Sequence, residues 1–439
     1  MSDKGSDYNR ISKKLDKQIY IPSDDLFLPD IHTYKNGEIN YKCTLDNLKA
    51  IVEYKRVTLY YDEILKIPIV ELPSGEPLQT NDPDQINSLS IEIANFGEKN
   101  NYIGFNSDKI YKQLVHLSYQ NSRNIPKEKL MLANYKYPDA KGEIDKMLDC
   151  LTFEDNNPIY PILITKWLSQ VTAMICNDKG EYGAEAVLVL QGRQAIGKSY
   201  FGRLMCSYFG DEYFTQNIRF NTYGNVDKDV IIKATSCVIG ELAEFETNPK
   251  MMDLLKEFIT VNSDTVRKPY GKAQERFNRQ STYYATTNRD HFLSDSENRR
   301  FWIVPVKFID TKRIKNAINL EKLWAEAYLS FLKNERDSFR LTAEERLTAE
   351  SISKARIKMT SEDIALRDLL DWNDDISNWH WQTATQIAEN VGLQPTANRN
   401  IGYALSRMGY SKNSDTYKLK NSNRGSQYFV PRSLYIPPY

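Results

Sequence analysis

The chain has 439 residues, 41% of them apolar and 26% charged, which is enough for two to four folded domains and too apolar for global disorder. Lys and Arg together number 58, as do Asp and Glu, so overall charge selects no anionic partner and any nucleic-acid surface must come from local clustering. No apolar run approaches the ~18–20 residues needed to cross a bilayer, and the polar start MSDKGSDYNRISKKLDK lacks the apolar stretch of a signal peptide.

Five cysteines, Cys43, Cys150, Cys176, Cys206 and Cys237, form no CxxC pair, and there are only four His. A disulfide framework and a zinc site of neighbouring ligands are not expected. Each cysteine reads as a small core residue of a reduced, cytoplasmic protein without a membrane partner.

The pattern along the chain indicates an α/β protein. Residues 1–80 mix β-rich runs, Val57–Tyr61 and Ile67–Val70, with turn clusters, and read as a mixed N-terminal region. The period turns helical over 81–160, as at Ile110, Leu114 and Leu117, which predicts a helical accessory domain. A core domain is expected over 161–310, with strands at Ala186–Leu190, Ala234–Ile239, Ser281–Thr286 and Phe301–Val306. Strands alternating with helices predict a parallel sheet. A helical lid or linker over 311–360 and a small α+β unit over 361–439 complete the chain.

The first strand runs into Gly192-Arg193-Gln194-Ala195-Ile196-Gly197-Lys198-Ser199, which fits G-x-x-x-x-G-K-[ST] without a mismatch. In such a loop glycines let backbone N–H groups curl around phosphates, and the lysine neutralises β/γ charge. The hydroxyl faces Mg²⁺ at a helix N-terminus. The expected ATP-binding set is Gly192, Gln194, Ala195, Ile196, Gly197, Lys198, Ser199 and Tyr200. Phosphoryl chemistry also needs an acidic group on a neighbouring strand. Cys237-Val238-Ile239-Gly240-Glu241-Leu242-Ala243-Glu244 supplies Glu241, just after a strand, and Glu244 three residues on. Mg²⁺ is expected on Ser199 and Glu241. Asn288 ends the run Tyr283-Tyr284-Ala285-Thr286-Thr287-Asn288, where an amide positions water or touches the γ-phosphate. One of the adjacent Arg299 and Arg300, just before a strand, is expected to reach the phosphates of a neighbouring subunit.

The segments GRQAIGKS, VIGELAEFE, LKEFITVNSDTVRKPYGKAQERF, YYATTN and SENRRFW, in that order, resemble the virulence-associated protein E family. That family is similar to superfamily III and minichromosome-maintenance-like helicases of the AAA+ class, found in phages and bacterial mobile islands. The strong likeness covers about 186–306. The resemblance implies a P-loop AAA+ core and a hexameric, ATP-driven DNA helicase that replicates its own element with other replication proteins. One departure stands out: the usual Asp-Glu pair would place Asp at Gly240. The chain carries no archaeal-type primase motif ahead of this core.

Between the acidic strand and Asn288, residues 250–279 carry seven basic against four acidic side chains. Met251–Val261 reads as an amphipathic helix, and Pro269-Tyr270-Gly271-Lys272 as a hairpin tip. The resemblance assigns Lys272, with Lys268 and Tyr270, to single-stranded DNA in a central channel, where lysine binds phosphate and an aromatic stacks on any base. Toward the C-terminus, Thr383–Leu393 and Thr396–Met408 look like a helix-turn-helix, and Thr416–Lys420 with Gln427–Val430 like a wing. From 396 onward seven basic residues face one acidic residue, so this winged helix is expected to bind duplex DNA through Arg399 and Arg424. The alternative to a helicase is an ATP-switched origin-binding or loading protein that does not unwind.

Overall fold

The computed structural model describes residues 26–72, 84–219, 228–242, 249–266, 275–293, 299–357, 360–412, 414–422 and 425–435. Its centre is a six-stranded sheet with the strand order Leu151–Phe153, Phe301–Ile309, Val187–Gln191, Thr282–Thr287, Ile239–Leu242, Phe214–Ile218. All neighbours in it are parallel except Leu151–Phe153, which runs antiparallel to Phe301–Ile309 at one edge. Parallel strands are covered on both faces, so they read as unbroken apolar runs rather than alternating ones. Val187-Leu188-Val189-Leu190-Gln191 is buried at every position.

The helix Ile159–Ile175 is apolar almost all round, and it is buried from Leu163 to Ile175 except at Thr165 and Lys166. It carries Trp167, whose indole N–H donates to the Tyr283 carbonyl at 3.0 Å and so ties the helix to the sheet. Helix Leu320–Asn334 contributes Trp324, fully buried, with its N–H on the Met205 carbonyl at 3.1 Å. Cys43, Cys150, Cys206 and Cys237 are buried and Cys176 partly so.

One stretch of the sheet differs from the sequence expectation. Ala234 and Thr235 close a helix, Lys228–Thr235, and the strand begins only at Ile239. Val230, Ile231 and Ala234 recur at helical spacing, and the Thr235 hydroxyl bonds back to the Ile231 carbonyl at 2.8 Å. Glu241 therefore lies inside its strand rather than after it.

The N-terminal cluster also crosses the boundary expected at residue 80. Leu48 and Ile51 on helix Leu45–Tyr54, and Leu59 and Val70 on an antiparallel strand pair, share one core with Leu89, Ile93, Ile110 and Leu114. The helices Gln85–Lys99 and Ser107–Gln120, capped by Asp84 and Asn106, thus complete the N-terminal unit. Helices Ile125–Lys136 and Glu143–Leu148 instead join the central core through Leu130, Ile144 and Met147, packing on helix Leu320–Asn334.

A third cluster joins Leu366, Ile387, Val391, Ile401, Ala404, Leu405 and Val430. Here helix Ala384–Asn390, opened by a Thr383–Gln386 capping box, meets helix Asn398–Arg407. A three-stranded antiparallel sheet follows, in which Gly425–Val430 pairs with both His380–Thr383 and Leu419–Ser422. Its two-stranded hairpin sits closer to the turn than the expected Thr416–Lys420 and Gln427–Val430. No helix among the described residues is long and apolar enough to cross a membrane.

Candidate active site

Three adjacent parallel strands deliver their carboxyl ends to one place. Thr287 stands opposite Gln191 and Tyr284 opposite Glu241, so the Gly192–Ser199 loop, Asn288 and Glu241 share the sheet edge at which open α/β folds bind ligands. Gly192 has φ 154°, and a Cβ there would lie 2.2 Å from the Val306 carbonyl oxygen. Only glycine lets the loop turn so tightly over the neighbouring strand. Helix Lys198–Cys206 starts directly after it and points its N-terminus at the loop.

Lys198 is 6% exposed. Its ammonium donates to the carbonyls of Gly192 at 2.7 Å and Arg193 at 2.5 Å, and to Oδ1 of Asn288 at 3.0 Å. All three acceptors are neutral, and among the described residues no carboxylate pairs with it. Burial accordingly holds its pKa below the ordinary lysine value. Ser199 and Tyr200 at the helix start are exposed, as are Gln194 and Ala195 on the loop, while Ile196 and Gly197 are half-buried.

Glu241 is the acidic counterpart. Burial raises its pKa, partly offset by hydrogen bonds from the Ser199 and Tyr284 hydroxyls. Tyr284 is the residue that sequence reasoning missed. Its single hydroxyl proton is shared between the Ser199 carbonyl, at 2.7 Å, and the Glu241 carboxylate. Glu244 lies outside the described residues. Gly240, where the family's Asp is expected, is crowded: a Cβ would meet Ile218 Cδ1 at 2.6 Å and Tyr283 Cδ1 at 3.0 Å. An aspartate there would require the end of the Ile218 side chain to shift and the Tyr283 ring to give slightly.

A further pair ties the end of the strand Val187–Gln191 to a later part of the chain. Gln191 donates to the Arg289 carbonyl at 3.0 Å and accepts from Arg356 Nε. The Arg356 carbonyl in turn holds the amides of Phe292 and Leu293 at 2.9 and 3.1 Å. Neither Gln191 nor Arg356 belongs to a motif, and only the chain's return after helix Ala343–Lys354 brings them together.

The family model for the virulence-associated protein E-like domain matches residues 132–358, just over half of the chain. The chain belongs to that family. The match takes in the whole central sheet and every described residue of this site. The VapE-like chain is also similar to the solved apo structure of the NrS-1 C-terminal region in its A form. That likeness is at 13% identity and TM-score 0.43, over 88% of this chain and 98% of the other. A second apo structure of that region gives 13%, 0.41 and the same coverage. The JCV helicase with a bound thiazolopyridinyl-phenoxyphenyl acetamide gives 9% and 0.26, over 62% of this chain and 83% of that one. No curated protein matches the sequence.

The remaining expected residues are dispersed. Arg299 and Arg300 precede the strand that begins with Phe301 opposite Val187 and reaches Pro305 opposite Gln191. They lie at the amino ends of the parallel strands, about 13 Å or more from the loop at 3.3 Å per residue. Arg300 is engaged: its guanidinium donates to the Glu185 carbonyl at 3.0 Å and carboxylate at 3.3 Å, and Arg340 holds the same carboxylate at 2.9 Å. Arg299 is exposed. The structure thus separates two arginines that the sequence could not.

Strands Ser263–Val266 and Glu275–Asn278 pair antiparallel, with Val266 opposite Glu275. The expected hairpin body is therefore present, while Lys268, Tyr270 and Lys272 lie outside the described residues. Arg279 is one of the seven basic side chains of this segment, but it is buried and bidentate on Asp264. In the C-terminal unit Arg399 is exposed on helix Asn398–Arg407, and Arg424 lies outside the described residues. Lys420 stacks 4.0 Å over the Trp381 ring on the same small sheet, a cation–aromatic pair that the sequence does not single out.

Proposed function

We propose that this VapE-like protein is an ATP-dependent DNA helicase that works as a ring, of six copies by family likeness, in the replication of a phage or mobile element. The observation that carries the ATP site is the Lys198 ammonium, buried and, among the described residues, held by neutral acceptors alone beside Asn288 and the Ser199–Tyr284–Glu241 cluster. A polyphosphate offers that cation charged acceptors in place of two carbonyls and an amide. Gly192, Gln194, Ala195, Ile196 and Gly197 supply the backbone cradle, and Tyr200 borders it. The donor set suits Mg²⁺ as well: one hydroxyl and one carboxylate leave room for phosphate oxygens and water, which that ion prefers.

In this reading Mg²⁺–ATP supplies the phosphoryl bond whose cleavage drives the cycle. Lys198 binds phosphate charge, Ser199 and Glu241 face the metal, and Glu241, when ionised, orients and deprotonates water. Asn288 fixes the position of Lys198 and of that water, and Glu244 adds a second acidic group. Arg299, distant from its own loop and exposed, is better suited than Arg300 to complete the site of an adjacent copy. Lys268, Tyr270 and Lys272 grip single-stranded DNA at the hairpin. The C-terminal unit, read as a winged helix, holds duplex DNA through Arg399 and Arg424.

The second reading, an ATP-switched origin-binding or loading protein, is favoured by Gly240, which removes one carboxylate from the acidic strand. Strand displacement on a forked duplex separates the two. The helicase reading expects ATP-dependent unwinding by the native protein, its loss in Lys198→Ala and Glu241→Gln, and its loss with retained ATP binding in Lys272→Ala. ATP hydrolysis without any displacement would leave the loader.

A further inference from the structure

The strand that ends beside Asn288 begins three residues after Arg279, a guanidinium with a 2% exposed side chain. Every face of it is used. Nε and Nη2 grip both oxygens of Asp264, the latter at 2.9 Å, and Nη1 donates to the Phe258 carbonyl at 3.1 Å and the Tyr283 hydroxyl at 3.2 Å. The guanidinium also lies 3.8 Å from the Phe258 ring centre. One side chain thereby joins helix Pro249–Thr260, both sides of the hairpin base and the strand Thr282–Thr287. That strand is itself pinned, since the Tyr283 hydroxyl donates to Ala234 at 3.0 Å and Ser281 to Cys237 at 2.7 Å. The next residue along, Tyr284, reaches Ser199.

We infer that Arg279, with Asp264, is a positioning residue that locks the hairpin body to the strand bearing the nucleotide contacts, so that a shift of one is delivered to the other. This rests on the nucleotide reading above. A bidentate Arg–carboxylate pair fixes orientation as well as distance, and lysine cannot reproduce that fork. Opening a hinge here would strand a buried charge, which makes the joint stiff. Stiffness alone is not coupling, so the test must read both sites.

Hydrogen exchange of the full chain, with and without Mg²⁺ and a non-hydrolysable ATP analogue, reads both sites together. Native protein is expected to gain protection over residues 192–199 and to change protection over 263–266 and 275–278. In Arg279→Lys the first response persists and the second disappears. Stimulation of ATP hydrolysis by single-stranded DNA falls about tenfold, within the usual range of coupling energies, while unstimulated hydrolysis changes less than twofold. Asp264→Asn, nearly the same size, gives the same split and covers the case in which lysine is not accommodated at 279. A hairpin response that survives in both variants overturns the inference, and so does an equal loss of stimulated and unstimulated rates. If native protein shows no protection over 192–199, the nucleotide reading fails and takes the coupling with it. Protection there with an unresponsive hairpin removes the coupling alone.

Discussion

The two ends of the central sheet treat buried charge in opposite ways. At the amino ends of the strands Arg300 is matched by Glu185, and beside them Arg279 is matched by Asp264. At the carboxyl ends, among the described residues, Lys198 meets only carbonyls and an amide, and Glu241 meets only hydroxyls. Burial lowers the pKa of Lys198 and raises that of Glu241, whereas the charge of Asp264 helps hold Arg279 above the ordinary arginine value. A buried ion without a counter-ion costs stability, so a fold keeps one where a ligand or reaction uses it. In the proposed reading the paired end serves rigidity, and the Lys198 cation at the other end receives the anionic nucleotide.

The sharpest way to break this contrast is to truncate one cation at each end. Arg279→Ala leaves the partly buried Asp264 uncompensated and empties a fully buried site, and a loss of about 3 kcal/mol is expected in denaturant unfolding. Lys198→Ala should leave stability within about 1 kcal/mol, because the cation it removes has no ionic partner among the described residues. ATP hydrolysis should nonetheless fall on the order of 10²-fold or more. Equal destabilisation by the two changes would show that Lys198 is a structural ion after all.

Gly240→Asp sharpens the comparison within the acidic strand. The added side chain runs into Ile218 and Tyr283, whose atoms lie 2.6 and 3.0 Å from where its Cβ would stand, and overpacking of this kind costs about 1–3 kcal/mol. Hydrolysis should not improve. A stable variant with faster turnover would mean that the missing carboxylate, rather than packing, limits this site.

A smaller effect is expected from pH. Hydrogen bonds to the ionised carboxylate lower the pKa of Glu241, and Tyr284 supplies one of them while burial pushes the other way. Activity that needs the carboxylate falls as pH drops through that pKa, which lies above the usual ~4.3 of a glutamate. Tyr284→Phe removes a bond to the charged form, so the pKa rises further. The acid limb of the pH profile of kcat/KM for ATP should therefore move to higher pH, with the alkaline limb unchanged. An acid limb that stays in place would detach Tyr284 from Glu241.

What the sequence made legible was whatever is local. The unbroken apolar run before Gly192, the glycine spacing and the capping residues each act over a few positions, and the loop and its following helix stand where the pattern put them. The partners of Glu241 and Gln191 were hidden because strand register and chain return decide them. Tyr284 looks like any strand aromatic until pairing sets it opposite Glu241. Arg279 misleads for the same reason, since charge counting cannot see that Asp264 lies across the hairpin. The core shared across residue 80 was hidden as well, because strands Thr58–Asp62 and Ile67–Glu71 need an apolar cover, and the helices that provide it come later in the chain.

The smallest expected effect tests the surface of the C-terminal unit. Its core residues Ile401, Ala404 and Leu405 are fully buried on one face of helix Asn398–Arg407, which leaves Arg399 exposed on another. A side chain there that touches phosphate neutralises one charge and releases counter-ions, whatever the base sequence. Arg399→Ala should then weaken duplex binding to a similar degree on unrelated sequences and reduce the slope of log K against log salt by about 1. The same change should leave unfolding within about 0.5 kcal/mol, as for other exposed sites. If the slope is unaltered, the exposed face of this helix does not meet phosphate, and its basic surplus serves another surface. If binding is lost on one sequence only, the arginine reads a base edge, and the unit selects a site instead of simply holding DNA.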